Sequence, residues 1–429
     1  MSTTATTSPT AFDLTWVRAQ FPSLSQTVNG HPAAFLDGPG GTQVPQRVID
    51  AISEYLRRDN ANTGGAYATS RRTDAMIAEA RNAMADLLQC GSDEIAFGPN
   101  MTTLTYAMSR AIGRELKLGD EIVVTRLDHD ANVSPWLAMA EDLQKEDRGV
   151  TVRWAEIRDE DCTLDLADLA SKINEKTRLV AVGYASNAVG TINPVKEIVR
   201  LAHKAGALAY IDAVHYGPHG LIDVAALDCD FLVCSTYKFF GPHMGVLFGK
   251  REHLKRLRPY KVRPNTNAIP NCWEWGTLNH ECIAGIAACV EYLAEVGRRA
   301  RPEVGTRRAA IEAAYEVIHQ HESVLLKRMI AGLVTIRGLT IYGISDPARF
   351  HERCATLAVR VENHTPLELA TRLGERGFFT WDGNYYALNL TEHLDVEKSG
   401  GFLRLGLVHY NTPEEVDRLV AALREIVRA

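Results

Sequence analysis

The sequence predicts an α/β protein, with a mostly parallel sheet covered by helices on both faces. Two observations carry this. Short apolar runs of strand length alternate along the chain with amphipathic stretches of helical period, the pattern of βαβ units. Three segments that carry polar residues begin at the C-terminal ends of predicted strands, and that edge of an open α/β sheet is where ligands bind. At 429 residues, with 46% apolar and 23% charged side chains, the chain can bury a large core and lacks the make-up of a disordered protein.

Taken in order, Met1 to Thr10 is rich in Ser and Thr, with no basic stretch followed by an apolar one. It reads as a frayed tail over residues 1–12 rather than a signal peptide. Val48, Ile49, Ile52 and Leu56 repeat at helical spacing, as do Leu166, Leu169, Ala170 and Ile173. Buried strands are predicted at Ile122–Thr125, Arg178–Tyr184, Leu208–Ile211, Phe231–Cys234 and Val246–Phe248. Past about residue 300 the texture changes. A long helical pattern over Arg307–Ile330 precedes strands at Leu339–Tyr342 and Thr356–Val361, and a further strand is predicted at Phe402–Leu407. Thr365-Pro366-Leu367-Glu368 and Thr412-Pro413-Glu414-Glu415 both read as helix starts. In each, the Thr oxygen and Glu carboxylate take up orphan N–H groups, and the proline has no N–H to lose. The expected organisation is a large domain over residues 36–300 and a smaller α/β domain over residues 301–429.

Several functions are set aside by composition. The net charge of −6 is spread along the chain, unlike the basic patches of a nucleic-acid binder. No apolar run approaches the ~20 residues needed to span a bilayer. The eight cysteines are scattered without a CxxC pair, which fits neither a zinc ribbon nor a secreted disulfide framework and points to the reducing cytoplasm. Gly38-Pro39-Gly40-Gly41 lacks the GxGxxG spacing of a nicotinamide site.

The chemistry concentrates between residues 184 and 245. Asp212 ends the apolar run Ala207–Ile211, so its carboxylate is half-buried and needs a cationic partner or a turn to cap. Lys238 follows Ser235-Thr236-Tyr237 and precedes Phe239-Phe240-Gly241-Pro242, after the strand Phe231–Cys234. A lysine in so apolar a setting loses its ammonium readily and becomes an imine former. A Schiff-base lysine, an acid for a pyridinium nitrogen and small hydroxyls for a phosphate together make a set that suits pyridoxal 5'-phosphate.

These motifs resemble the fold-type I, class V aminotransferase superfamily, in its cysteine desulfurase and selenocysteine lyase-like branch. The likeness runs from Phe35-Leu36-Asp37-Gly38-Pro39 to Arg404-Leu405-Gly406-Leu407-Val408-His409-Tyr410 and beyond. It implies a large domain built on a seven-stranded type of sheet, a smaller C-terminal domain, and residues 13–35 packing with the latter. It implies Lys238 as the imine-forming lysine and proton shuttle, Asp212 as the partner of the ring nitrogen, and His129 as a ring-stacking and acid–base residue. It assigns the phosphate to the helix-opening Asn100-Met101-Thr102-Thr103 segment, with Met101 and Thr102 as donors beside Ser235 and Tyr237; a helix N-terminus favours an anion. Thr277 would reach the phosphate of a neighbouring subunit, which implies a homodimer with shared sites. Asn187 would lie near the cofactor hydroxyl and the substrate carboxylate, and Arg404 would grip that carboxylate through a bidentate contact.

Departures from the branch set further expectations. His215 stands where a glutamine contacts the cofactor's phenolic oxygen, Tyr237 where a histidine precedes the lysine, and Asn62-Thr63-Gly64-Gly65 where a His-Arg-Gly run is usual. The loop that carries the persulfide cysteine reads Trp381-Asp382-Gly383-Asn384-Tyr385-Tyr386, and no cysteine follows Cys354. Tyr67, Trp381, Tyr385 and Tyr386 could form an aromatic wall. The expected activity is Cα deprotonation of a small amino acid, most readily a C–S or β-lyase without persulfide relay. A class V aminotransferase, an epimerase or cyclase, and a catalytically silent binding protein of the same fold are the alternatives.

Overall fold

The computed structural model describes residues 12–428, and the expected tail lies outside them apart from Phe12. Seven strands build the main sheet: β1 (Ile95–Gly98), β2 (Glu121–Thr125), β3 (Thr151–Ala155), β4 (Thr177–Gly183), β5 (Leu208–Asp212), β6 (Phe231–Ser235) and β7 (Gly245–Gly249). Their order across the sheet is β1-β7-β6-β5-β4-β2-β3. Adjacent strands are parallel except at β7, which runs antiparallel to both β6 and β1. The exception has a simple cause: the link from β6 to β7 spans only residues 236–244, too short for the dozen or so residues a parallel crossover needs. That tight link is the segment that carries Lys238.

The strands are buried on both faces, which is why they read as near-continuous apolar runs. Val123, Val180, Val182, Ile211 and Leu232 point into one core, whereas Ile122, Val124, Leu179, Ala181, Tyr210 and Phe231 point into the other. The first core is closed by helices α1 (Gln46–Arg58), α2 (Ala68–Leu88), α5 (Val195–Lys204) and α6 (His280–Ala300), and the second by α3 (Met101–Gly113) and α4 (Ser134–Lys145).

A second, antiparallel sheet takes the order β8-β9-β11-β10, with β8 (Leu339–Tyr342), β9 (Thr356–Val361), β10 (Trp381–Gly383) and β11 (Phe402–Gly406). Helices α7 (Arg307–Leu333), α8 (Pro366–Gly374) and α9 (Pro413–Arg428) lie with it. Helix α7 serves both cores. Its first half, with Ala310, Ile311, Ala314 and Ile318, packs under the main sheet; its second half, with Leu325, Met329, Ile330 and Leu333, packs under the second. Residues 13–35 touch the C-terminal part of the chain: Arg18 pairs with Glu415, and Ala34 and Phe35 form a short ladder with Phe378 and Phe379. Both predicted helix starts are present, with Thr365 and Thr412 accepting the N–H groups of Glu368 and Glu415. Among the described residues no helix is long and apolar enough to cross a membrane.

Candidate active site

A cavity of about 790 Å³ opens at the carboxyl ends of β2, β4, β5 and β6, where the second sheet leans over the first. Every residue singled out in the sequence for the cofactor or substrate lines it except Thr277. Thr277 borders a separate cleft of about 900 Å³ together with Asn62 and Thr63. Of the expected aromatic wall, Trp381, Tyr385 and Tyr386 face the cavity, whereas Tyr67 is exposed elsewhere.

Lys238 sits in a single helical turn, Thr236–Lys238, directly after β6. The turn is locked by Thr236, whose N–H donates to the Met244 carbonyl at 2.9 Å. The Lys238 Nζ donates to the Pro39 carbonyl and lies 4.9 Å from the Tyr237 ring centre. Burial, reinforced by the nearby Arg404 charge and opposed by Asp212 and Asp37, brings its pKa down to about 7. Asp212 ends β5, and its Oδ1 accepts the Val214 N–H at 2.9 Å. Burial pushes its carboxyl up to about 6, against the pull of that N–H and of Lys238.

His129 follows β2. Its Nδ1 accepts the Ala131 N–H at 3.0 Å, and its ring stacks on Tyr386 with centroids 5.4 Å apart. Burial, with the charges of Lys238 and Arg404, lowers its pKa to about 3, so the ring is neutral and carries its proton on Nε2. Asn187 donates from Nδ2 to the Tyr385 carbonyl at 2.8 Å, and Arg404 on β11 donates to the Asn187 carbonyl at 2.9 Å. The Arg404 guanidinium also lies 4.1 Å from the Tyr385 ring centre.

The phosphate candidates converge at the start of α3. Asn100 caps the helix by accepting the Thr103 N–H at 2.8 Å, and Ser235 Oγ accepts the Met101 N–H at 3.0 Å. Two of the expected donors therefore bond each other, leaving the Thr102 hydroxyl with only a sulfur contact. Gly245 allows this approach, since a Cβ there would stand 2.4 Å from the Asn100 carbonyl carbon. Tyr237 stacks on His243, centroids 4.7 Å apart.

Two features escaped the sequence reading. Asp37 lies beside Arg404 and Lys238, its Oδ1 buried without a partner and its carboxyl pushed by burial to about 6. An acid inside Phe35-Leu36-Asp37-Gly38, between a buried strand and a glycine turn, is the signal that would have found it. Tyr385 and Tyr386 both hold left-handed backbone, φ 55° and 62°, which non-glycine residues adopt at a cost. The Asn187 amide on the Tyr385 carbonyl and the Asp130 N–H on the Tyr386 carbonyl hold them there.

The residues present fit pyridoxal phosphate. Asp212 is a wholly buried carboxylate with one neutral donor, an environment that a protonated ring nitrogen would complete. Asn187 Oδ1 and Arg404 Nε are buried in the same cavity wall with no partner in the protein, and polar atoms in that condition mark places for a ligand.

The family model described as aminotransferase class-V matches residues 34–419. A cysteine desulfurase of Pectobacterium carotovorum is 33% identical over 428 residues, covering 96% of this chain and 97% of that protein. One of Dickeya dadantii is 32% identical, covering 96% of each. Two solved structures share the fold at TM-score 0.82 and 25% identity. The cysteine desulfurase of Thermococcus onnurineus, solved without ligand, matches over 95% of this chain and 98% of its own; the Escherichia coli cysteine desulfurase CsdA, in S-sulfonic acid form, matches over 98% and 99%. With the family model matched over most of its length, and Lys238 and Asp212 facing one cavity, the chain belongs to the class-V aminotransferase family and is a pyridoxal-phosphate-dependent enzyme of cysteine desulfurase-like type.

Proposed function

We propose that the protein cleaves a C–S or C–Se bond in a small amino acid and releases the product directly, without relay through a protein persulfide. The observation that carries this reading is the cavity lining: Trp381, Tyr385 and Tyr386 stand over it, and none of its lining residues is a cysteine. A phenol does not store sulfane sulfur. The last cysteine of the sequence, Cys354, is buried and borders a different cleft.

Bound here, pyridoxal phosphate supplies an electron-withdrawing ring that stabilises negative charge on the substrate Cα. Lys238 would hold the cofactor's aldehyde end and supply the amine that accepts the α-proton; a pKa of about 7 lets that amine be neutral at working pH. Asp212 would keep the ring nitrogen protonated. Met101, Thr102, Ser235 and Tyr237 would take the phosphate, and His215 the phenolic oxygen. Arg404 and Asn187 would fix the substrate carboxylate, so that the Cα–H bond points at Lys238. Neutral His129 would cover the ring, and the aromatic loop would exclude water and limit the substrate side chain. Thr277, remote from the cavity within one chain, suits a homodimer in which it completes the partner's phosphate site.

The reaction balances as hydrolytic elimination: cysteine and water give pyruvate, ammonia and sulfide, with no oxidant or reductant. Incubating the holoenzyme with a panel of sulfur and selenium amino acids should give sulfide or selenide and pyruvate in equal amounts, with no sulfur acceptor added. Alanine together with a protein persulfide would overturn the reading. Amino transfer or loss of chirality alone would move it to an aminotransferase or epimerase.

A further inference from the structure

Behind the cofactor cavity lies a cluster of three residues, of which only His215 has a part in the reaction above. His215 and His219 occupy one face of the helical turn that follows β5, where Gly217 N–H bonds back to the Ala213 carbonyl at 3.0 Å. Cys354 approaches from the segment that leads into β9. The three residues are 4%, 5% and 3% exposed, and one ring nitrogen of each histidine and the cysteine sulfur all lie within 4.8 Å of one another.

Polar atoms this deep are normally paired, yet Nε2 of His215 and Nε2 of His219 have no hydrogen-bond partner. The His219 Nδ1 faces Glu322 Oε2 at 2.7 Å, from α7. An Nδ1–H given to a carboxylate leaves the Nε2 lone pair free, and this carboxylate–histidine pairing is the usual support of a metal-bound imidazole. On the sulfur side the buried Arg353 guanidinium donates to the Val189 carbonyl at 3.0 Å and to the Thr356 carbonyl. Burial and the Glu322 charge hold the Cys354 thiol well above its usual pKa, Arg353 offsets this only in part, and a cation that binds there displaces the thiol proton. A cleft of about 400 Å³, lined by Glu322 and Arg353 and by Glu312 and Glu316, which pair with Arg308 and Arg301, reaches His219 and Cys354.

We propose that His215, His219 and Cys354 bind one Zn²⁺-type cation, with Glu322 as the residue that orients His219. Two imidazoles and a thiolate suit a borderline-soft tetrahedral ion rather than Mg²⁺ or Ca²⁺, and three protein ligands leave a fourth position open. At the widest spacing the sites allow, a central ion stands ~2.8 Å from each ligand atom. Side-chain shifts of roughly 0.5–0.8 Å then reach the ~2.0–2.3 Å of Zn–N and Zn–S bonds. His215 also lines the cofactor cavity, so an ion held by one of its nitrogens leaves the ring proton on the other.

The test uses the pyridoxal-phosphate-loaded protein, dialysed against a chelator and titrated with Co²⁺ and then Zn²⁺. One Co²⁺ per chain should bind, giving the intense red-end bands of a tetrahedral site and a sulfur-to-cobalt charge-transfer band in the difference spectrum, and Zn²⁺ should erase both. Cys354→Ser should remove the charge-transfer band. His219→Gln and Glu322→Gln should each weaken Zn²⁺ at least tenfold. X-ray absorption of the zinc-loaded wild type, which needs no variant to fold, should show one sulfur and two nitrogens in the first shell. An oxygen-only first shell, no stoichiometric binding, or Co²⁺ bands unchanged in both Cys354→Ser and His219→Gln would overturn the proposal.

Discussion

The reactivity of Lys238 follows from where its amine is buried. Removing an ammonium from water costs free energy that the neutral amine escapes, and the neighbouring Arg404 adds repulsion; the two carboxylates Asp212 and Asp37 recover only part of the loss. The sign of the pH dependence follows. Only the free base attacks an aldehyde, so capture of pyridoxal phosphate by the cofactor-free protein should level off above about pH 7 and fall about tenfold per pH unit below it. Asp212 and Asp37, both at about 6, become protonated over the same range. The Lys238 ammonium then loses its anionic neighbours, which softens the fall below pH 6. Stopped-flow absorbance between about pH 5 and 9 reads this directly. A rate that keeps climbing through pH 9 would mean an ordinary, solvated lysine.

At the scale of the element, α9 shows how a local signal acquires long-range partners. The sequence predicts the Thr412 and Glu415 capping box, and the Thr412 N–H indeed donates to Glu415 Oε2 at 3.2 Å. The same carboxylate also takes the Asn411 amide at 2.9 Å and the Arg18 guanidinium at 2.8 Å. Its side chain is only 6% exposed. Glu415→Ala therefore removes a cap and one side of a largely buried ion pair and should destabilise the protein by about 3 kcal/mol, measured as a shift in urea midpoint. Its twin, Glu368→Ala at an exposed position of α8, should cost well under half as much. Equal losses in the two variants would show that the tertiary partners of Glu415 contribute nothing.

At the scale of the whole molecule, the site exists because two sheets meet. Lys238 and Asp212 come from the main sheet and Arg404 from β11 of the second, joined across the gap by the bond from Arg404 to the Asn187 carbonyl. Helix α7, packed in both cores, ties their positions together. On the proposed roles, substrate grip and cofactor grip come from different sheets and are separable. Arg404→Lys keeps the charge but loses the planar fork. It should raise KM for the amino acid about 10–100-fold, the loss of about 1.5–3 kcal/mol from a charge-assisted contact, while the cofactor absorption spectrum stays unchanged. A shifted spectrum with unaltered KM would place Arg404 with the cofactor instead.

The sequence by itself determined the α/β class, most strands of the main sheet and both capped helices, and it singled out Lys238, Asp212, His129 and Arg404, which the fold gathers around one cavity. These are legible because strand burial, caps and charged residues at strand ends are local signals, carried by neighbours in the chain. The left-handed Tyr385–Tyr386 pair, the place of Asp37 beside Lys238, and the meeting of His215, His219 and Cys354 were decided only by the tertiary structure. Each depends on groups separated by many residues, and chain spacing carries no information about which side chains burial will bring face to face.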